Sequence, residues 1–197
     1  MIESGHGQRA GELAAGWMQR TVSLPVKLGR PLGAAHILSK ARNWVATLIG
    51  AEPALGNLAT LLAGMLARTQ PKEGAPRLLH GTLYSRHVLD LGDGAGLIDW
   101  DRFGQGPIEL DAGIFLASTW QLGVRCGSLA SQVAQAEAAF LAGTAGLLDE
   151  RALAWHRAAM LLRLANKIKR CPSDDWLVRA TALLAEAARL ANAAGWS

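Results

Sequence analysis

Apolar residues recur every three or four positions over most of this chain, which is the spacing of amphipathic helices rather than of strands. Leu13, Trp17 and Met18 share one stripe of a helix expected over residues 9–20. Pro25, Gly29, Pro31 and Gly33 then break the pattern into a loop. Helical spacing resumes from about residue 35 to Ile49 and from about Leu55 to Arg68, and Thr69 to Pro76 reads as a polar turn segment. In the last half, one helix is expected from Glu109 to about Gln121, with Pro107 and acidic residues at its start. Another runs from Ser128, as its cap, to about Ala142, and a strongly periodic one covers 149–170. Ser173 is the expected cap of a last helix, with Asp174 and Asp175 in its first turn.

The middle third differs. Arg77-Leu78-Leu79 is a short apolar run ending in His80-Gly81. Val88 to Leu91 and Gly96 to Asp99 are extended candidates, separated by Gly92-Asp93-Gly94-Ala95. Asp-Gly favours a type I′ turn, which needs positive φ at both central residues, so a β-hairpin near 87–99 is expected. The fold class is then α+β, mainly α, in a single domain over residues 1–197.

Composition supports this and narrows the chemistry. Half of the 197 residues are hydrophobic, which suffices for one well-buried domain. Ala and Leu lose little side-chain freedom in a helix, and β-branched residues are few. The net charge of +4 suits an anionic small ligand or no partner at all, and no run of Lys and Arg interleaved with aromatics suggests nucleic-acid binding. The densest basic run, Arg163 to Arg170, sits late in a helix, where cations complement the dipole. Cys126 and Cys171 lack metal-ligand spacing and read as reduced and buried. No signal-peptide pattern opens the sequence, and the apolar stretches are interrupted by polar residues too often for a membrane span, so a cytoplasmic protein is expected.

Candidate chemistry lies between His80 and Asp111. A hairpin turning at Asp93-Gly94 brings Asp99 beside the loop from His80 to His87, where its carboxylate could hold a divalent cation. Asp99 and Asp101 alternate along an expected extended segment, so both could face one side, and Asp101 is a further candidate metal ligand. A solvated hairpin edge would give the same alternation. His80, His87, Asp99 and Asp101 could instead make a metal-hydrolase site with a bound water as nucleophile, a lesser alternative.

Four stretches together carry a family resemblance: His80-Gly81-Thr82, then His87, then Ile98-Asp99-Trp100-Asp101, then Gly106-Pro107-Ile108-Glu109-Leu110-Asp111. They resemble the catalytic segment of the aminoglycoside phosphotransferase and choline kinase group, which shares its helical catalytic C-lobe with protein kinases. The Thr82-to-His87 spacing equals the Asp-to-Asn spacing of a kinase catalytic loop. The resemblance implies phosphoryl transfer from ATP or GTP to a hydroxyl of a small molecule, with Mg²⁺. It implies that Asp99 binds metal, that His87 stands at the second metal ligand and that Thr82 stands at the catalytic base. His80 and Asp111 would brace the loop.

The departures from that pattern are chemical. A threonine hydroxyl cannot accept a proton as a carboxylate does, and general-base catalysis contributes roughly 10²–10⁴ in rate. An imidazole is a poorer Mg²⁺ ligand than an amide oxygen. The stretch before Thr82 leaves no room for the family's N-terminal nucleotide lobe beside the expected helices. Gly5, Gly7 and Gly11 have the wrong spacing for a phosphate loop, and Val26-Lys27 follows Pro25, which argues against a central strand. The implied alternative is a degenerate, non-catalytic kinase-like module, a pseudokinase. It would self-associate as a homodimer or bind a partner over Leu83, Tyr84 and Trp100, whereas the phosphotransferase reading would need an N-lobe supplied from elsewhere.

Overall fold

The computed structural model describes residues 1–24, 26, 28–168 and 174–193. Seven α-helices and five strands of two or three residues lie among them. The helices are α1 (Gly7–Ser23), α2 (Ala34–Ile49), α3 (Pro53–Arg68), α4 (Ile108–Arg125), α5 (Ala130–Gly143), α6 (Glu150–Ile168) and α7 (Trp176–Ala193). The strands are β1 (Arg30–Pro31), β2 (Arg77–Leu79), β3 (Val88–Asp90), β4 (Ala95–Leu97) and β5 (Gly104–Gly106). The mainly helical α+β expectation therefore holds, with helix ends shifted by a few residues in either direction.

α4 organises the molecule. Ile108, Leu110, Ala112, Ile114, Phe115, Leu116 and Ala117 are apolar on every side of the helix and all buried, as a helix between two layers must be. On one side α2, α3, α6 and α7 surround the fully buried Trp155, whose indole N–H donates to the Leu66 carbonyl at 3.0 Å. On the other, α1 and α5 close over Phe115 and Phe140, and the β3–β4 hairpin packs through Val88 and Leu97. α4 and α6 approach closely because residue 113 is glycine: a Cβ there would stand 2.8 Å from the backbone of His156 and Arg157. The guanidinium of Arg157 then reaches Glu137 at 3.0 Å and Glu186 at 3.7 Å, tying α6 to α5 and α7.

Several local expectations need correction. The 92–95 turn is not type I′: only Gly92 has positive φ, at 89°, and Asp93 and Gly94 do not. Asp90 decides this conformation, because its carboxylate accepts from Gly92 N at 2.9 Å while Arg9 clamps it at 2.8 Å. Asp90 is thus a fixed anchor between α1 and the hairpin. Ser128 lies in a 3₁₀ turn (Gly127–Leu129) and does not cap α5. Asp149 caps α6, accepting from Ala152 N at 2.7 Å. Asp174 and Asp175 precede α7, and Asp175 pairs with Arg179 at 2.6 Å. The Ser173 cap, Cys171, Lys169, Arg170, Pro25 and Lys27 lie outside the described residues.

The sheet β1-β5-β2 was not expected, since each strand is too short to show a two-residue period. β5 pairs in parallel with β1 and antiparallel with β2, matching Leu79 to Gly104. The hairpin matches Val88 to Leu97. These two pairings fasten both ends of the 80–87 loop to the 98–103 segment, and that sets up the site.

Candidate active site

Leu79–Gly104 pairing delivers His80, Gly81 and Thr82 beside the turn at Trp100 to Phe103. The loop can make this approach because residue 81 is glycine, with φ 76°, a value L side chains rarely adopt. A Cβ at residue 81 would also run into the Arg102 carbonyl. Asp111, in the first turn of α4, fixes the loop from below. Its two carboxyl oxygens accept from His80 N at 2.6 Å and Gly81 N at 2.9 Å. Burial pushes the Asp111 carboxyl up to about 7, although both N–H donors pull it down.

His80 is fully buried, and its Nε2 meets the Ile98 carbonyl at 2.9 Å. That contact requires the proton on Nε2, so Nδ1 carries a lone pair, and the Thr82 hydroxyl lies 3.3 Å from it. Desolvation lowers the His80 pKa and keeps the ring neutral. The Thr82 hydroxyl also lies 3.4 Å from the Asp99 carbonyl. Its proton thus has two acceptors inside the protein. Such a hydroxyl is poorly suited to take a proton from an incoming alcohol.

His87 joins loop and hairpin. Its Nδ1 meets the Thr82 carbonyl at 2.8 Å, and its Nε2 lies 3.1 Å from Asp99 Oδ2. The first contact assigns the proton to Nδ1. Burial, then Arg86, lowers the His87 pKa, so the ring is neutral at pH 7 and presents an Nε2 lone pair to a carboxylate. Two electron-rich atoms at that distance call for a proton or a cation between them. Neighbouring ligands of an octahedral cation with bonds near 2.1 Å lie about 3 Å apart, so the pair fits one edge of such a site. An imidazole–carboxylate pair favours Mn²⁺ or Zn²⁺ over Mg²⁺. Asp99 itself has φ 67°, the one left-handed non-glycine among the described residues. Its side chain is 47% exposed, whereas that of His87 is 5% exposed.

The left-handed kink at Asp99 means that the segment is not extended there, so the expected alternation of Asp99 with Asp101 does not form. Asp101 sits exposed in the following turn. Among the described residues no three His, Cys, Asp or Glu side chains gather into a metal cluster, which removes the geometric basis for a four-residue hydrolase site. Trp100 packs on the other face, with its ring centroid 4.7 Å from His80 and 5.6 Å from Trp17. Leu83 and Tyr84 are buried in this chain's own core and expose no association surface. Tyr84 instead stacks beneath Arg86, at 4.4 Å from its ring centroid. The three-stranded sheet and Arg102 escaped the sequence reading, because nothing short of the strand register shows that residues 30, 81 and 102 meet.

The sequence pattern of the phosphotransferase enzyme family, APH, matches residues 29–161. The chain belongs to this family. Three solved structures share the fold. An aminoglycoside-3′-phosphotransferase of type VIII is 22% identical, with 78% of this chain and 60% of that one covered and a TM-score of 0.52. A choline/ethanolamine kinase family protein from Mesorhizobium loti is 15% identical, with 96% and 63% covered and a TM-score of 0.57. An amicoumacin kinase, solved with AMP-PNP and Ca²⁺, is 14% identical, with 92% and 57% covered and a TM-score of 0.59. This APH-family chain therefore spans about 60% of the length of each. No curated protein is similar to it in sequence. Among the described residues no helix is long and apolar enough to cross a membrane.

Proposed function

We propose that this chain carries the catalytic-loop half of a phosphotransferase acting on a small-molecule hydroxyl, with Thr82 leaving transfer slow. The observation that carries this reading is the His87–Asp99 pair, 3.1 Å apart on the rim of the Asp111-braced loop. There Asp99 and His87 would hold a divalent cation, which when bound neutralises nucleotide phosphate charge. Asp99 offers an exposed carboxylate oxygen, and His87 is oriented by the Thr82 carbonyl. His80 keeps the loop closed against Ile98. The step left without a group is proton removal from the acceptor, since Thr82 offers a neutral hydroxyl with two acceptors of its own, His80 Nδ1 and the Asp99 carbonyl. ATP or GTP is the donor this reading requires. Such a reaction belongs in the cytoplasm, where thiols stay reduced.

The neutral hydroxyl of Thr82 also favours a second reading, a non-catalytic member of the family that binds or self-associates. One titration separates the two. Thermal stability is followed with ATP and GTP, with and without Mg²⁺ or Mn²⁺, in the parent and in Asp99→Asn. A ligand at a hundredfold excess over Kd stabilises the native state by about 2.7 kcal/mol. A cation-dependent rise lost in Asp99→Asn supports the nucleotide site. No rise in either protein leaves the non-catalytic reading.

A further inference from the structure

Beside Gly81, on the side of the loop away from the β3–β4 hairpin, lies a cavity of about 280 Å³. Its rim holds Arg30, Lys40, Arg102 and Arg163, together with His36, and no carboxylate takes part in the lining. None of those four cations has an ion-pair partner among the described residues. The cations come from separate parts of the chain: β1, α2, the turn before β5, and α6. Their convergence is visible in the half-buried His36, whose pKa is lowered first by burial and then by Arg30, Lys40 and Arg163. The floor is apolar, formed by Leu32, Ile37 and Ile114, so the charges act against a low-dielectric wall that strengthens their field.

Four uncompensated cations around one cavity repel one another, and a multiply charged anion relieves that repulsion. Guanidinium groups also match the oxygens of a phosphate or carboxylate with paired hydrogen bonds. Gly81 in the lining immediately precedes Thr82 in the sequence, so a ligand seated here lies against the same loop that carries Thr82. A polycationic acceptor would be repelled by the same rim. We infer that this cavity selects an anionic acceptor, a small hydroxyl compound bearing a phosphate monoester, through Arg30, Lys40, Arg102 and Arg163. The inference rests on the phosphotransferase reading for the role of the ligand, but not for its binding.

Calorimetric titration of the chain with inorganic phosphate, glycerol 3-phosphate and glycerol tests it, in the parent, Lys40→Gln, Arg102→Gln and Asp99→Asn. Lys40 and Arg102 are exposed, and thermal melts check that their variants fold as the parent does. Expected are binding of both phosphates, none of glycerol, and affinity roughly tenfold weaker in Lys40→Gln and in Arg102→Gln. Asp99→Asn should bind glycerol 3-phosphate as the parent does, even if nucleotide binding fails, so loss of the nucleotide site and loss of the anion site are read separately. Absence of phosphate binding by the parent, or binding indifferent to both rim substitutions, would overturn the assignment. So would displacement of glycerol 3-phosphate by ATP in metal-free buffer, since the cavity would then be a site for nucleotide phosphates.

Discussion

The two halves of the 80–87 loop are built to different standards. The first half is closed: Asp111 accepts from two backbone N–H groups, and His80 is locked to Ile98, all within 2.9 Å, with the side chains of His80 and Asp111 buried. The second half is open: the Thr82 hydroxyl makes only contacts of 3.3 and 3.4 Å, and Asp99 is half-exposed with a lone-pair neighbour in His87. The difference teaches that the loop's support and its chemistry are separable. Asp111, His80 and Gly81 hold the path of the backbone, while Thr82, His87 and Asp99 supply the polar side chains at its open end.

Breaking the closed half should have the largest effect. Asp111→Ala leaves the His80 and Gly81 N–H groups unpaired and should cost roughly 3–5 kcal/mol in urea denaturation, enough to unfold a marginal domain. A loss below 1 kcal/mol would show that the loop is held some other way. Changing the open half should leave stability nearly intact and alter rate. In Thr82→Asp, nucleotide turnover with water as acceptor should rise by about 10²-fold, measured as phosphate release with Mn²⁺ and ATP. A Thr82→Asp protein no faster than the parent would mean that proton removal is not what limits this site.

A buried group remote from both halves sharpens the contrast. His156 is fully buried against Trp155, neither ring nitrogen has a partner, and desolvation pushes its pKa down to about 3. Below about pH 6.5 the unfolded chain gains a proton that the folded chain refuses, so His156 takes stability away as pH falls towards 3. Asp111 acts with the opposite sign. Its raised pKa makes the folded chain the better proton binder between about pH 4 and 7, so its contribution declines as pH rises through that window. His156→Leu should therefore gain about 3 kcal/mol over the parent at pH 4.5 relative to pH 7.5, measured by urea denaturation at both values. It should leave the pH dependence due to Asp111 unchanged. Equal gains at the two pH values would mean that His156 is protonated in the folded state.

How legible this was depended on how local the signal is. The helices could be read because apolar spacing repeats over many residues, as in α6, and the hairpin because a turn cluster separates two apolar runs. His80, Thr82, His87, Asp99 and Asp111 were legible as a set, since their spacing lies within about thirty residues. The turn conformation was not, because Arg9, some eighty residues away in sequence, holds Asp90. Nor was the left-handed backbone at Asp99, which a single aspartate does not announce. The cation cavity was least legible. Arg30, Lys40, Arg102 and Arg163 meet only through the packing of α2 and α6 and the register of β5 on β1 and β2, and no motif encodes that meeting.

The most direct test of the open half as a cation site is a comparison of Mn²⁺ and Mg²⁺ binding by calorimetry in the parent, His87→Asn and Asp99→Asn, with ATP present. The parent should bind Mn²⁺ more tightly than Mg²⁺. His87→Asn should narrow that preference by replacing the imidazole with an amide oxygen, and Asp99→Asn should abolish binding of both. A parent that binds neither ion, or a preference for Mn²⁺ that is the same in His87→Asn, would contradict the reading of His87 and Asp99 as two ligands of one cation.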